Sequence, residues 1–310
     1  MTPGSAPGIT PASVASGGTA PAIPCASGPA TASEDQSQAQ RSQPDLPPHL
    51  SWSQIDTMRR CPRKFAYVYV EQAEPEFIAS SLLFGSALHT AIEAHYQALL
   101  DGQPLGREQL MAIFQDHWQQ GDQRFPDIPV KFNKNEDEAG LSERARGMLD
   151  ALLASDIATP QGEILAIEER ARVTLRDDLP PLVARLDLIW HDAEAVHVVD
   201  FKTARSRWGP EKVREGADQL NIYHRAAQPL ANSLDLPLKL HFAVLTKAKK
   251  PAAQVLDVPA IQEGDDRLIQ TVEQVWSAMK AGNFYANPSP MNCSTCPFRK
   301  HCPAHAGTDA

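Results

Sequence analysis

Hydrophobic and polar positions fall into two regimes along this chain, with a helical period in the first half and a strand period after about residue 163. Ser51 can cap a helix running to about Arg60, where Cys61-Pro62 halts it because the residue before proline is pushed out of the helical region. From Ser80 to Leu100 the residues Leu83, Ala87, Leu88, Ala91, Ile92 and Leu99 recur at helical spacing, and Asp101-Gly102 ends the run. Two more helices are expected at about 106–119 and 136–155, separated by a polar loop with Pro126 and Pro129. The period then changes. Glu163 to Leu175, Leu182 to Trp190 and Val196 to Thr203 are rich in branched residues and broken by Asp177-Asp178-Leu179-Pro180-Pro181 and His191-Asp192-Ala193-Glu194, so they predict three consecutive strands. A helix at about 215–231, strands at 239–246 and 254–258, and a helix at about 263–281 follow. The order predicts an α/β fold, a mixed central β-sheet flanked by helices with a helical insertion before it.

Composition restricts where that fold can lie. Residues 1–48 hold nine Pro and five Gly among many Ala, Ser and Thr, with only Ile9, Val14, Ile23 and Leu46 from the large aliphatic set. Such a segment cannot bury enough surface to offset chain entropy, so a disordered tail is expected there and a folded domain over 49–306. The tail lacks a basic start followed by an apolar run, and no later stretch approaches the roughly 20 apolar residues of a membrane helix. A cytoplasmic protein without membrane contact is the expectation. The net charge of −9 counts against a nucleic-acid partner, whose usual footprint is basic. Local clusters run the other way: Arg59, Arg60, Arg63 and Lys64; Lys202, Arg205, Arg207, Lys212 and Arg214; Lys247, Lys249 and Lys250; Arg299 and Lys300. Each alone also suits a solvated face. No phosphate loop of the G-x-x-x-x-G-K type is present, which argues against a built-in ATP motor.

The strand Val198-Val199-Asp200-Phe201-Lys202-Thr203 carries the first candidate chemistry. Alternate side chains share a face, so Asp200 and Lys202 point the same way. A turn centred on Ala193-Glu194 places residue 187 opposite 200, bringing Asp187 to face Asp200, although that turn lacks the usual Gly. Two carboxylates side by side repel without a cation, which suits a hard-metal site. Asp200→Asn is therefore expected to raise stability in the absence of metal. Lys202 could orient a water or stabilise charge on phosphate; the same spacing also suits a solvated strand end. His89 is a third possible ligand on the face that carries Gly85, Ile92, Glu93 and Tyr96, and Gln219 and Tyr223 lie one turn apart on a predicted helix.

Five cysteines in such a chain argue for metal or redox chemistry rather than a disulfide framework. Cys25 lies in the tail, Cys61 stands alone, and Cys293, Cys296 and Cys302 form C-x2-C-x5-C. Thiolates select zinc or iron-sulfur centres, and spacing alone does not decide between them. His301 and His305 leave a mixed zinc site open.

Taken together in order, Leu50-Ser51-Trp52-Ser53-Gln54-Ile55 running into Cys61-Pro62-Arg63-Lys64-Phe65, Gly85-Ser86-Ala87-Leu88-His89, Ala184-Arg185-Leu186-Asp187-Leu188-Ile189, Val199-Asp200-Phe201-Lys202-Thr203, Gln219-Leu220-Asn221-Ile222-Tyr223 and the final cysteine trio form a pattern. It resembles the RecB-type nucleases, the iron-sulfur branch of the PD-(D/E)xK superfamily, which includes CRISPR-associated exonucleases and the nuclease domains of recombination helicases. The resemblance spans about residues 49–303. It implies a restriction-endonuclease-like core with a C-terminal cysteine-rich iron-sulfur segment. It also implies that His89, Asp187, Asp200 and the carbonyl of Phe201 hold Mg2+ or Mn2+, that Lys202 positions the attacking water, and that Gln219 and Tyr223 lie near the DNA strand. Cys61, Cys293, Cys296 and Cys302 would bind a 4Fe-4S cluster that clasps both ends of the domain. A supporting Glu is also implied, with Glu168 and Glu169 equally eligible. The chain departs from the pattern at Arg185, where many relatives have Gly. The function so implied is a DNA exonuclease or single-strand-preferring nuclease in repair, recombination or defence, with a helicase or repair protein as a partner in trans. Its rivals are a non-catalytic DNA-binding or scaffolding subunit, and a zinc protein whose aspartates face solvent.

Overall fold

The computed structural model describes residues 44–259 and 266–305. Most of the proline-rich segment, including Cys25, lies outside them; within its last few residues Leu46 packs partly buried against the core. The first helix, α1 (Trp52–Arg60), begins with a capping box in which Gln54 N–H donates to Ser51 Oγ and Ser51 N–H to Gln54 Oε1. It stops at Cys61, and Pro62 opens α2 (Pro62–Phe65), a position where the missing N–H is no loss. A π-helical turn over Ala66–Val70 follows, for which the hydrophobic pattern gave no signal.

After a two-residue strand β1 (Ile78–Ala79) come α3 (Ser80–Leu100), closed by Gly102 at φ 66°, and α4 (Arg107–Gln120). The expected polar loop contains β2 (Val130–Lys131), which pairs in parallel with β1, and leads to α5 (Glu138–Leu153). The three expected strands are β3 (Glu163–Val173), β4 (Leu182–His191) and β5 (Val196–Ala204). Helix α6 (Pro210–Leu234) extends beyond the expected 215–231, starting from a proline in its first turn and passing through Pro229. It crosses over to β6 (Leu238–Thr246), followed by β7 (Ala253–Asp257), α7 (Arg267–Lys280) and α8 (Pro290–Cys293). The start expected for α7, at 263, falls outside the described residues.

The sheet order is β3-β4-β5-β6-β7, with β5 and β6 parallel and the other neighbours antiparallel. The 25-residue α6 supplies the long connection that a parallel pair requires. Helices cover both faces. Val196, Val198, Leu240, Phe242 and Val244 join Ile55, Leu220, Tyr223, Val272 and Val275 in one apolar cluster. Leu188, Val199, Phe201, Ala243 and Leu245 join Leu88, Ile92, Phe114 and Leu149 in the other. Two-sided burial explains why β5 and β6 read as nearly continuous apolar runs.

One irregularity in this sheet positions the site. Leu182, Ala184 and Leu186 belong to the first cluster, Leu188 to the second and Ile189 again to the first. Residues two apart in a regular strand share a face, so the alternation of β4 slips by one at Asp187. On β3, Val173 and Ala171 contact the first cluster and Ile167 the second, and the slip coincides with Glu168, whose φ is +53°. The β4–β5 ladder also begins only at Leu188 opposite Val199. Above it the two strands part, and Phe201 N–H donates to Asp187 Oδ2 at 2.7 Å instead of to a backbone carbonyl.

Candidate metal and hydrolytic centre

The register of the β4–β5 hairpin matches the expected equal-sum pairing, which puts Asp187 across from Asp200 at the fork. The turn manages without glycine because Asp192 Oδ1 accepts the N–H groups of Glu194 and Ala195, at 2.7 and 2.9 Å. Glu168 stands opposite Asp187 on the other side, since Ile167 pairs with Leu188 and Glu169 with Leu186. Three carboxylates from three adjacent strands therefore lie in one row. From α3, His89 Nδ1 comes to 3.7 Å from Asp187 Oδ2. His89, Glu168 and Asp187 each offer a ligand atom within 4.8 Å of the others. Glu168, not Glu169, is thus the one of the two acids that lies beside Asp187 and His89, a choice that sequence reasoning left undecided. The left-handed backbone at Glu168 accompanies the slip of the strand, and adjacency in sequence could not reveal it.

Asp200 is almost fully buried on the opposite side of the row and has its own partners. Lys202 Nζ lies 2.6 Å from Asp200 Oδ2, and Gln219 on α6 joins the two, donating from Nε2 to Asp200 Oδ1 and accepting from Lys202 at Oε1, both at 2.9 Å. Gln219 Nε2 also approaches Tyr223 Oη at 2.7 Å. The four residues Asp200, Lys202, Gln219 and Tyr223 thus form one polar network under α6. Gly216 permits this approach. A Cβ there would lie 2.8 Å from the ring of the fully buried Phe242, so any side chain would lift the helix from the sheet. Gly85 makes no such demand, since its added Cβ would meet Thr203 Oγ1 at an ordinary 3.9 Å.

Charge is stored unevenly across the centre. Burial, then the neighbouring Asp200, push the Asp187 carboxyl well above the ordinary range, against the Phe201 N–H. Burial also raises Glu168, opposed mainly by Arg185, whose guanidinium is in ion-pair contact with it. Burial lowers His89, favouring the neutral imidazole with a free lone pair, and a hydrogen bond to the Phe201 backbone acts in the other sense. A neutral imidazole and crowded, poorly solvated carboxylates are the donor set that a hard divalent cation relieves. The residues present fit such an ion. Elsewhere, Lys247 is no solvated face. Its ammonium lies over the Phe84 ring at 4.1 Å, and burial lowers its pKa to about 8.

The second candidate centre joins the two ends of the domain. Cys61, Cys293, Cys296 and Cys302 are free thiols, and all four line one recess with Arg63, Lys64, Tyr67, Arg299 and His305. The Cys296 thiol is raised by burial, lowered by a backbone hydrogen bond from Phe298 and by Lys64, and raised again by Cys61 and Cys302. Soft donors, nearby cations and an N–H directed at sulfur fit a thiolate-bound metal centre. Protein contacts fasten the same junction. Asn287 and Asn292 donate to the carbonyl of Arg60 at 2.8 and 3.0 Å, Arg63 N–H donates to Tyr285 O at 2.9 Å, and Tyr67 Oη donates to His301 O at 2.6 Å. Tyr67 also stacks on Phe298. These asparagines and Tyr67 carried no sequence signal of their own, because their partners lie more than 200 residues away.

A mixed sheet between helices, with a lysine and acids gathered where two strands part, is consistent with the core of a nuclease fold. The chain belongs to the PD-(D/E)XK nuclease superfamily, whose pattern it matches over residues 49–303. Among curated proteins none matches the chain. Among solved structures it is similar to a Eubacterium rectale protein named "Putative exonuclease", at 15% identity and TM-score 0.36, over 77% of this chain and 91% of that one. It is also similar to the protein SSO0001, at 15% identity and TM-score 0.32, over 82% of this chain and 95% of that one. Among the described residues no helix is long and apolar enough to cross a membrane.

Proposed function

We propose that this chain is a Mg2+- or Mn2+-dependent deoxyribonuclease of the RecB type, an exonuclease or single-strand-preferring enzyme. The observation that carries this reading is the meeting of His89, Glu168 and Asp187 beside the Asp200–Lys202 pair. In this reading His89, Glu168, Asp187, Asp200 and the Phe201 carbonyl hold the ion. When bound, the cation supplies Lewis acidity at a phosphoryl oxygen and makes water acidic enough to attack.

The remaining work falls to the chain's own groups. Lys202, fixed by Asp200 and Gln219, presents its ammonium at 30% side-chain exposure, accessible to a water or a phosphate oxygen. Held on two sides, it orients an attacking water and stabilises charge on the scissile phosphate without reorganising during the reaction. Tyr223, whose hydroxyl is raised by burial and by Asp200, remains protonated and supports Gln219. Gln219 is thereby a positioning residue as well as a neighbour of the strand.

The four cysteines are read as ligands of a 4Fe-4S cluster that holds the ends of the domain together. Their lining of one recess at the junction of the two ends supports this. The RecB-type resemblance extends the proposal to DNA repair, recombination or defence in the cytoplasm, with or without a helicase in trans.

Degradation of labelled single- and double-stranded DNA with Mn2+, Mg2+ or EDTA tests the activity. An absorption spectrum and iron and zinc analysis after anaerobic purification test the cluster. Cation-dependent hydrolysis abolished in Lys202→Ala is the expected result; a parent protein that binds DNA but never cleaves it would favour a scaffolding subunit.

A further inference from the structure

Beside the catalytic residues, an open groove has Trp52, Arg170, Arg185, Gln219 and Tyr223 among its lining residues. Gln219 is the side chain that holds Lys202 and Asp200, so groove and centre share a wall. None of the residues lining the groove is an Asp or Glu. Arg170 and Arg185 are direct cross-strand partners on β3 and β4, and both are exposed. Like charges facing each other across antiparallel strands destabilise a sheet. Glu168 offsets only one of them, through Arg185; among the described residues the Arg170 guanidinium has no partner. This uncompensated charge lies two positions along the strands from Glu168 and Asp187.

The geometry points to a nucleotide subsite. We propose that Arg170, with Arg185, takes the backbone phosphate of the nucleotide next to the scissile bond, and that the half-buried ring of Trp52 takes its base. A guanidinium presents a planar fork that matches phosphate oxygens, and an indole face accepts any base without reading its sequence. In a duplex both faces of an internal base are already covered by its neighbours, so a base that stacks on Trp52 must leave that stack and the groove selects a single strand. This inference rests on the nuclease reading and adds to it the determinant of strand preference.

Arg170 is suited to the test because it is exposed on the edge strand and, among the described residues, holds no other group in place. Binding of a fluorescein-labelled oligothymidylate in EDTA and steady-state hydrolysis with Mn2+ are measured for the parent, Arg170→Gln, Trp52→Leu and Trp52→Phe. In Arg170→Gln, Kd and KM should rise about tenfold with kcat retained, and the slope of log affinity against log salt should shrink by about 0.7, the loss of one phosphate contact on a single strand. Trp52→Leu should weaken single-strand binding while Trp52→Phe largely keeps it. Unchanged affinity, KM and salt slope in Arg170→Gln would overturn the subsite. Equal weakening toward a blunt duplex would overturn its single-strand selectivity. Failure of the nuclease reading looks different, since it would leave hydrolysis absent or indifferent to Lys202→Ala whatever Arg170 does to binding.

Discussion

At the scale of single residues, the division of labour among the three carboxylates governs what each substitution does. Asp200 already has a cationic partner at 2.6 Å and an amide donor at 2.9 Å, so removing its charge strands Lys202. The expectation that Asp200→Asn stabilises the metal-free protein therefore passes to Asp187. Asp187 is buried between two other acids, and an asparagine could still accept the Phe201 N–H. Asp187→Asn should raise the melting temperature in EDTA at neutral pH and abolish cleavage, whereas Asp200→Asn should lower it; calorimetry on both variants decides. Raised native pKa values at Asp187 and Glu168 also set a sign for pH dependence. Above the unfolded value of about 4, the native centre retains protons that the unfolded chain has released. Metal-free stability should accordingly fall as pH rises toward the raised native values, and Mn2+ should increase the melting temperature more at pH 8 than at pH 5. A cation effect independent of pH would contradict the carboxylate site. Lys202→Ala should reduce hydrolysis roughly 100- to 10,000-fold, the range of a positioned proton-transfer or charge-stabilising group, with the fold intact.

At the scale of elements, the centre is made by irregularities in otherwise regular pieces. The hairpin register could be read from the sequence because equal-sum pairing follows from the position of the turn alone, and Asp192 supplies the turn geometry that glycine would otherwise provide. The choice of Glu168 over Glu169 could not, since it depends on the coordinated slip of β3 and β4 at Glu168 and Asp187. A non-glycine residue in the left-handed region carries about 1–3 kcal/mol of strain, retained where the neighbouring structure overrules it. Replacing Glu168 by Gly should thus leave the melting temperature in EDTA equal to or above that of the parent while eliminating cation-dependent cleavage. Helix α6 offers the complementary test. Gly216→Val would press on the buried Phe242 ring, cost about 1–3 kcal/mol as overpacking does, and pull Gln219 off Lys202 and Asp200. Lower kcat together with the stability loss is expected, measured beside Gln219→Ala, which should lower kcat with a smaller change in melting temperature.

At the scale of the whole molecule, the first helices and the last segment meet at the cysteine recess, closing a loop of more than 200 residues. A metal centre shared across such a loop converts binding energy into folding energy. Cys61→Ser should therefore lose metal and protease resistance as severely as Cys296→Ser, even though the asparagine and tyrosine bonds at the same junction persist. Iron per chain and limited proteolysis measure both. Full metal content in Cys61→Ser would leave only a local C-terminal site and remove the clasp.

The order of helices and strands, the mixed α/β class, the hairpin register and the shared face of Asp200 and Lys202 were determined by local sequence, because periodicity, caps and turns act over a few residues. Tertiary structure decided the rest: Glu168 as the third acid, Gln219 as the tie between Asp200 and Lys202, Arg170 set against Arg185, and the carbonyl of Arg60 held by Asn287 and Asn292. Each depends on how two distant segments approach or on where a strand leaves its ladder. Such distances arise from packing the whole chain around two apolar clusters, and no local window of the sequence contains both partners.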